Sequence, residues 1–133
     1  MININNKTKG KINLSLVKKV ANKFLENYKL LNKEVSIAFV SETRTKELNK
    51  RYRGIDKVTD VLSFSGEDNF FGEIVINYAQ IKKQAKKFNN SSEEELVFIL
   101  VHGLLHLLGY EDETETEQRE MKKLGEKFIK SIE

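Results

Sequence analysis

The chain has 133 residues, of which 39% are hydrophobic and 32% charged, proportions typical of one globular domain and not of a disordered or fibrous protein. It contains no cysteine, which excludes disulfides and thiolate metal sites, so any bound metal must take nitrogen and oxygen ligands. The net charge of +3 is compatible with a polyanionic partner but does not require one.

The first half of the chain alternates between strand and helix patterns. Residues 2–5 repeat Ile-Asn, a period of two that predicts a short strand, and 14–28 carry apolar side chains at helical spacing. Residues 35–39 alternate again, as in a half-buried strand. Ser41 can then cap a second helix that runs to about Tyr52. This β-α-β order requires a crossover connection and predicts parallel pairing.

The middle of the chain predicts a hairpin, in which strands 61–64 and 70–76 flank a glycine-containing turn at 66–69. A third helix follows Asn77, which can cap it. The sequence therefore predicts an α/β (α+β) fold: a mixed sheet of about four strands, mostly parallel with one antiparallel strand, packed with about five helices. We expect residues 1–133 to form a single domain.

The last third of the chain is helical. Ser92 and Glu95 predict a capping box, and 96–108 is apolar nearly all round, as in a buried helix. That run is shorter than the roughly 20 residues of a membrane span. No signal-peptide h-region is present at the N-terminus, so we expect a cytoplasmic protein with no membrane partner. Thr114 with Glu117 predicts a second capping box and a final helix.

Both histidines of the chain lie in the buried helix, four residues apart. At that spacing His102 and His106 share one helix face, about 5–6 Å apart at Cβ, as in the helical His-x-x-x-His of zinc hydrolases. A pair of hydrogen-bonded core histidines is the plainer alternative, but two unrelated histidines rarely fall at this spacing. Gly109 can end the helix and turn a carboxylate back towards them. Three candidates follow it: Glu111, Asp112 and Glu113.

Two blocks of the chain resemble signatures of the YbeY family of bacterial metal-dependent endoribonucleases. Residues 102–110 match the His-Gly-x-Leu-His-Leu-x-Gly-Tyr part of its histidine signature, which continues Asp-His where this chain has Glu-Asp at 111–112. Residues 48–64 are similar to its Leu-Asn-x-x-Tyr-Arg-x-x-Asp-x-Pro-Thr-Asp-Val-Leu-Ser-Phe, with Val58 in place of proline. Strand 72–76 is similar to its Gly-Asp-Ile-x-Ile, with glutamate for aspartate.

The resemblance implies a metal-dependent single-strand endoribonuclease, acting in 3′-end maturation of small-subunit ribosomal RNA and in ribosome quality control. It implies one divalent metal, with zinc as the first expectation. The implied ligands are His102, His106 and Asp112. Asp112 is included because it stands in the register of the family's third histidine. A carboxylate ligand lowers the charge of such a site, which admits manganese or magnesium more readily. The resemblance also assigns Arg53 to the active-site cleft, as a catalytic residue that contacts substrate phosphate. Without the resemblance, we would interpret Arg53 as a solvated charge at the end of a helix.

Further candidates for contact with the RNA backbone lie on the third helix: Lys82, Lys83 and Lys86. A solvated helix face explains these lysines more simply. The alternative function is a ribosome-assembly RNA-binding protein with a structural or vestigial metal site, which the altered third ligand leaves open. A peptidase is disfavoured, because Gly103 occupies the position of the general-base glutamate in His-Glu-x-x-His metalloproteases.

Overall fold

The computed structural model describes all 133 residues, which form four strands and five helices. The strands are β1 (Ile2–Asn6), β2 (Glu34–Phe39), β3 (Val61–Ser65) and β4 (Phe70–Ile76). The helices are α1 (Leu14–Asn27), α2 (Glu42–Arg53), α3 (Tyr78–Lys87), α4 (Ser92–Leu107) and α5 (Glu115–Ile132). None of the five helices combines the length and the apolar character that crossing a membrane requires.

The strands form one mixed sheet in the order β1-β2-β4-β3. The pairs β1–β2 and β2–β4 are parallel, because α1 and α2 lie in the connections that lead from one strand to the next. The short turn between β3 and β4 allows only an antiparallel pair, which places β3 at the sheet edge. The predicted α/β fold, with one antiparallel strand and five helices, is therefore confirmed.

Helix α4 lies at the centre of the molecule, packed against β3 and β4 on one side and against α1, α3 and α5 elsewhere. Its apolar side chains Leu96, Leu100 and Leu104 are fully buried, as the nearly continuous apolar run predicts. The helix approaches the sheet most closely at Gly103, where a Cβ atom would lie 3.2 Å from Ser63 Oγ. Any other residue here would require the neighbouring side chains to move by a few tenths of an ångström, so glycine favours this close approach of α4 to β3.

The N-terminus of α4 corrects one prediction by a single residue. Ser91, and not Ser92, is the N-cap, because its backbone is extended (ψ 157°) whereas Ser92 is already helical. Glu94 therefore closes the capping box, with its carboxylate 2.9 Å from the Ser91 backbone nitrogen. Glu95 is freed from capping and is buried at 6% exposure. The second predicted box, Thr114 with Glu117, is confirmed.

Candidate metal centre

The two histidines of α4 face the same side of the helix. The ring centroids of His102 and His106 are 4.7 Å apart, and their Nε2 atoms are 3.1 Å apart. Both side chains are about one-quarter exposed, at 26% and 27%. The four-residue spacing thus places two imidazole nitrogens side by side at a partly exposed position on the protein surface.

The end of α4 turns the following residues back towards the histidines. Gly109 adopts a left-handed backbone (φ 107°), and its N–H donates to the carbonyl of His106 at 2.9 Å. The N–H of Tyr110 donates to the carbonyl of Leu105 at 3.2 Å. These two bonds define a Schellman motif, the helix ending that glycine favours. The motif reverses the chain so that Asp112 reaches the histidine face.

Asp112 completes a three-residue cluster with the histidines. Its Oδ2 lies 3.2 Å from His102 Nε2 and 3.4 Å from His106 Nε2. Ligands at about 2.0–2.1 Å from a tetrahedral zinc ion lie about 3.3–3.4 Å from one another. The three observed separations, from 3.1 to 3.4 Å, therefore match those expected between three ligands of one such ion. Glu111 and Glu113 are exposed and lie outside this cluster.

Backbone groups around the cluster fix the orientation of its members. His106 Nδ1 lies 3.0 Å from the carbonyl oxygen of Tyr110, and since a carbonyl only accepts, Nδ1 carries the proton. In that tautomer the acceptor nitrogen is Nε2, which points at the other members of the cluster. The amide of Gln118 on α5 donates to the carbonyl oxygen of Asp112 at 2.9 Å. Such outer contacts are typical of protein metal sites.

Burial lowers the pKa of His102 below its usual value, and the neighbouring His106 lowers it further. Asp112 and Asp60 oppose this shift through their negative charges. The lowered pKa favours the neutral imidazole, which is the form that binds a metal. Two nitrogens and one carboxylate oxygen, with no sulfur, are a donor set that zinc and other divalent ions accept.

The cluster opens into a cleft of about 1060 Å³ between α2, β3 and α4. Arg53, at the last residue of α2, lines this cleft, and its guanidinium makes no hydrogen bond or ion pair within the protein. Gly54 adopts a left-handed backbone directly after it and ends the helix there. The sequence placed Arg53 in the active-site cleft only through the family resemblance, and the structure brings it to the same cavity as the histidines.

The three lysines predicted to contact RNA do not line the cleft. Lys83 Nζ bonds Glu42 Oε1 at 2.7 Å, and Lys82 Nζ lies 5.5 Å from the ring centroid of Tyr78. Lys86 is exposed on the same helix. Their role towards substrate stays a prediction, with no geometry that joins them to the metal cluster.

A polar network beside the histidines escaped the sequence analysis. Gln84 on α3 donates through its single amide nitrogen to Asp60 Oδ2 at 3.2 Å and to Glu95 Oε2 at 3.1 Å. Glu95, His102 and His106 share one face of α4 at spacings of seven and four residues, a signal that was present in the sequence. Because the sequence pattern assigns Glu95 to the capping box, its place on the histidine face was not recognised.

The charged lining of the cleft is mostly acidic. Arg53 is the one cationic side chain that lines it, against five carboxylates: Asp60, Glu95, Glu111, Asp112 and Glu113. A bound divalent cation would offset two of those negative charges. Polyanion binding in this cleft therefore depends on the cation and on contacts other than simple charge attraction.

The chain is similar in sequence and structure to known proteins. The profile of the family described as Endoribonuclease YbeY matches residues 2–133. A protein of that name from Thermodesulfovibrio yellowstonii is 44% identical over 74% of this chain and 66% of its own length. Another from Shouchella clausii is 38% identical over 89% of this chain and 84% of its own length. A solution structure of a Thermotoga maritima protein has a TM-score of 0.68 and 34% identity, covering 97% of this chain and 87% of that one.

These matches extend over nearly the whole chain, well beyond the two blocks that carry the resemblance in sequence. They include the helix that bears both histidines and the strand that lines the cleft. The chain therefore belongs to the YbeY family.

Proposed function

We propose that this protein is a metal-dependent endoribonuclease whose metal ligands are His102, His106 and Asp112. The observation that carries the proposal is the spacing of their three donor atoms, which fits one face of a tetrahedral site beside an open cleft. Family membership supports RNA as the substrate, since the relatives of 36–44% identity bear the name endoribonuclease. Phosphodiester hydrolysis makes the protein a hydrolase.

Zinc is the metal that we propose for this site. A bound zinc ion supplies Lewis acidity and lowers the pKa of water to about 7. The Nδ1–H of His106, bonded to Tyr110, keeps Nε2 free to bind it. The carboxylate of Asp112 reduces the charge of the site and admits manganese more readily than a third histidine would.

Arg53 supplies the positive charge that the scissile phosphate requires. Its planar guanidinium can donate two parallel hydrogen bonds to phosphate oxygens, and no partner within the protein competes for them. Charge that develops on those oxygens during cleavage is stabilised in place. Gly103 cannot accept a proton and faces β3, which supports phosphoryl chemistry over peptide hydrolysis.

We further propose that the substrate is the 3′ region of small-subunit ribosomal RNA, with the small ribosomal subunit as partner and the cytoplasm as the place of action. Family membership supports this part of the proposal. A role in maturation of that RNA end and in ribosome quality control is part of the proposal, and the open cleft beside the metal cluster has room for an unpaired strand.

The alternative is a ribosome-assembly protein that binds RNA around a structural or vestigial metal. The specific observation in its favour is Asp112, which replaces the third histidine of the family signature. The two functions differ in one measurable property, because only the enzyme cuts the strand that it binds.

The test compares binding with cleavage. Protein stripped of metal and reloaded with zinc, manganese or magnesium is incubated with a single-stranded RNA that carries the small-subunit 3′ end. We expect cleavage that requires metal and is lost in His106→Ala, with a duplex of the same sequence left intact. RNA that is bound and never cut, whatever the metal, would establish the alternative instead.

A further inference from the structure

Two exposed aromatic side chains line the cleft outside the metal cluster. Tyr52, near the end of α2, is 58% exposed, and Phe88, just after α3, is 61% exposed. Both rings lie in the lining of one cleft, which distinguishes them from apolar side chains that are exposed singly elsewhere on the surface. Neither residue takes part in the metal site or its supporting contacts.

Each of the two aromatic rings has a cationic neighbour. The guanidinium carbon of Arg51 lies 5.4 Å from the ring centroid of Tyr52, and Lys87 Nζ lies 5.7 Å from that of Phe88. The ring of Phe64 packs edge-on against Tyr52 at 5.2 Å, which orients the Tyr52 ring. An aromatic surface beside a cation suits a ligand that is both flat and anionic.

The two rings lie towards opposite ends of β3. Tyr52 packs on Phe64 near the C-terminal end of the strand, whereas Phe88 lies one helical turn beyond Gln84, which bonds Asp60 just before the strand begins. The five residues from Asp60 to Phe64, four steps along an extended chain, span roughly 13 Å. Both rings and the metal cluster line the same cleft, so a strand of a few nucleotides is long enough to contact both rings within it.

We infer that Tyr52 and Phe88 are stacking platforms for unpaired bases of a single RNA strand. The inference rests on the proposed ribonuclease function and assigns these two rings to the binding of its single-stranded substrate. The charged lining of the cleft is mostly acidic, with Arg53 as its one cationic side chain, so base stacking on the two rings adds affinity to the contact of phosphate with Arg53. In a duplex the base faces are covered by neighbouring pairs, so the platforms discriminate against paired RNA.

The chain has no tryptophan, so one substitution introduces a single reporter. In separate proteins loaded with zinc, Tyr52→Trp and Phe88→Trp are titrated with a 2′-O-methyl RNA decamer that remains intact through the titration. We expect saturable quenching of tryptophan emission at both positions. A duplex decamer and a decamer with abasic nucleotides, which carries the same phosphates without base faces, should quench neither.

The matched control is Phe70→Trp, an aromatic position that is 39% exposed and lies outside the cleft. Its emission should not respond to RNA. Equal quenching by the abasic decamer, or an equal response at Phe70→Trp, would overturn the inference. Tryptophan emission that is unchanged by RNA but shifts as the protein concentration rises would assign these rings to contact between protein molecules. That result would also overturn the inference.

Kinetics separate stacking from a general loss of structure. Tyr52→Ala should raise KM for single-stranded RNA by roughly 5- to 150-fold, the range expected for one lost stacking contact, with kcat much less affected. Tyr52→Phe, which keeps the ring, should restore KM. An unchanged KM in Tyr52→Ala, in a protein that still cleaves RNA, would refute stacking and leave the ribonuclease proposal standing. A wild-type protein that cleaves nothing would refute the ribonuclease proposal itself.

Discussion

The Nδ1–H of His106 donates to the carbonyl oxygen of Tyr110 at 3.0 Å, so the turn that follows α4 orients a side chain of α4 itself. The same turn delivers Asp112 to within 3.4 Å of the His106 Nε2 atom. One local structure thus sets both the tautomer of a proposed ligand and the position of another. Changes at the turn should therefore affect metal binding without touching any ligand.

Gly109 tests this coupling. Gly109→Ala forces alanine into a left-handed backbone (φ 107°), which should cost about 1–2 kcal/mol, although no atom lies near the added Cβ. We expect a lower urea midpoint and weaker zinc binding in competition with a chelator. Gly10→Ala, whose Cβ would make only an ordinary contact at 3.6 Å, serves as the control and should leave both values nearly unchanged. Full zinc affinity in Gly109→Ala would show that the turn does not position the site.

Asp112 is the third ligand in our proposal, and its neighbours provide the comparison. Asp112→Asn should weaken zinc binding at least about tenfold, because it removes a charged ligand. Asp112→His should keep binding, since imidazole is also a zinc ligand. Glu111→Gln and Glu113→Gln should matter far less. Affinity that survives Asp112→Asn and collapses in either glutamate variant would move the third ligand to that glutamate.

Arg53 should affect turnover and not metal content. Arg53→Ala removes the donor fork from the cleft, and we expect kcat/KM for RNA to fall roughly 100- to 1000-fold. Zinc content by elemental analysis and the melting temperature should stay near those of the wild type, because Arg53 makes no contact that supports the fold. Arg44→Ala, on the same helix and outside the cleft, should retain full turnover. Loss of turnover in both variants would point to a general charge effect.

Gln84 holds two carboxylates of the cleft with one amide. Gln84→Ala leaves the buried carboxylate of Glu95 without its side-chain donor, which should reduce the free energy of unfolding by about 1–3 kcal/mol. Lys86→Ala, on the exposed side of the same helix, should change it by less than about 0.5 kcal/mol. If Glu95→Gln in the Gln84→Ala background restores stability, the loss comes from the unpaired charge; no recovery would contradict that cause.

The capping box at the start of α4 makes stability depend on pH. The bond from the Ser91 backbone N–H, and then that from its side chain, lowers the pKa of Glu94 below its ordinary value of 4.5. Stabilisation by the ionised carboxylate is therefore complete above that value and is lost as the pH falls through the lower pKa of the folded state. The stability difference between the wild type and Glu94→Gln should shrink in acid. A difference that stays constant down to pH 2 would exclude this contribution.

Local patterns in the sequence predict the fold well, because each element carries its own signal. The alternation in β1 and β2, the Gly66 turn and the apolar run of α4 are all determined by near neighbours. The predicted capping box was wrong by one residue because two serines and three glutamates stand in succession. Only the backbone angle at Ser91 distinguishes the two registers.

Contacts between distant parts of the chain determine the features of the site that local sequence patterns do not predict. The spacing of His102 and His106 is local and visible, but the choice of Asp112 among three successive carboxylates depends on the path of the chain after α4. The network of Asp60, Gln84 and Glu95 joins the loop before β3 to α3 and α4, so the shared helix face indicates Glu95 but not its two partners. The lysines of α3 are the opposite case. Their charge is evident in the sequence, but only the structure shows that they lie outside the cleft.

The close approach of Gly103 to Ser63 limits how this scaffold could be redesigned. Installing a glutamate after the first histidine, to mimic a metalloprotease, would drive a side chain into contacts of 3.2–3.3 Å with β3 and β4. Either these neighbouring side chains would have to give by a few tenths of an ångström, or helix α4 would shift and carry both histidines with it. A new general base in this scaffold is therefore better introduced from the opposite wall of the cleft than from the histidine helix.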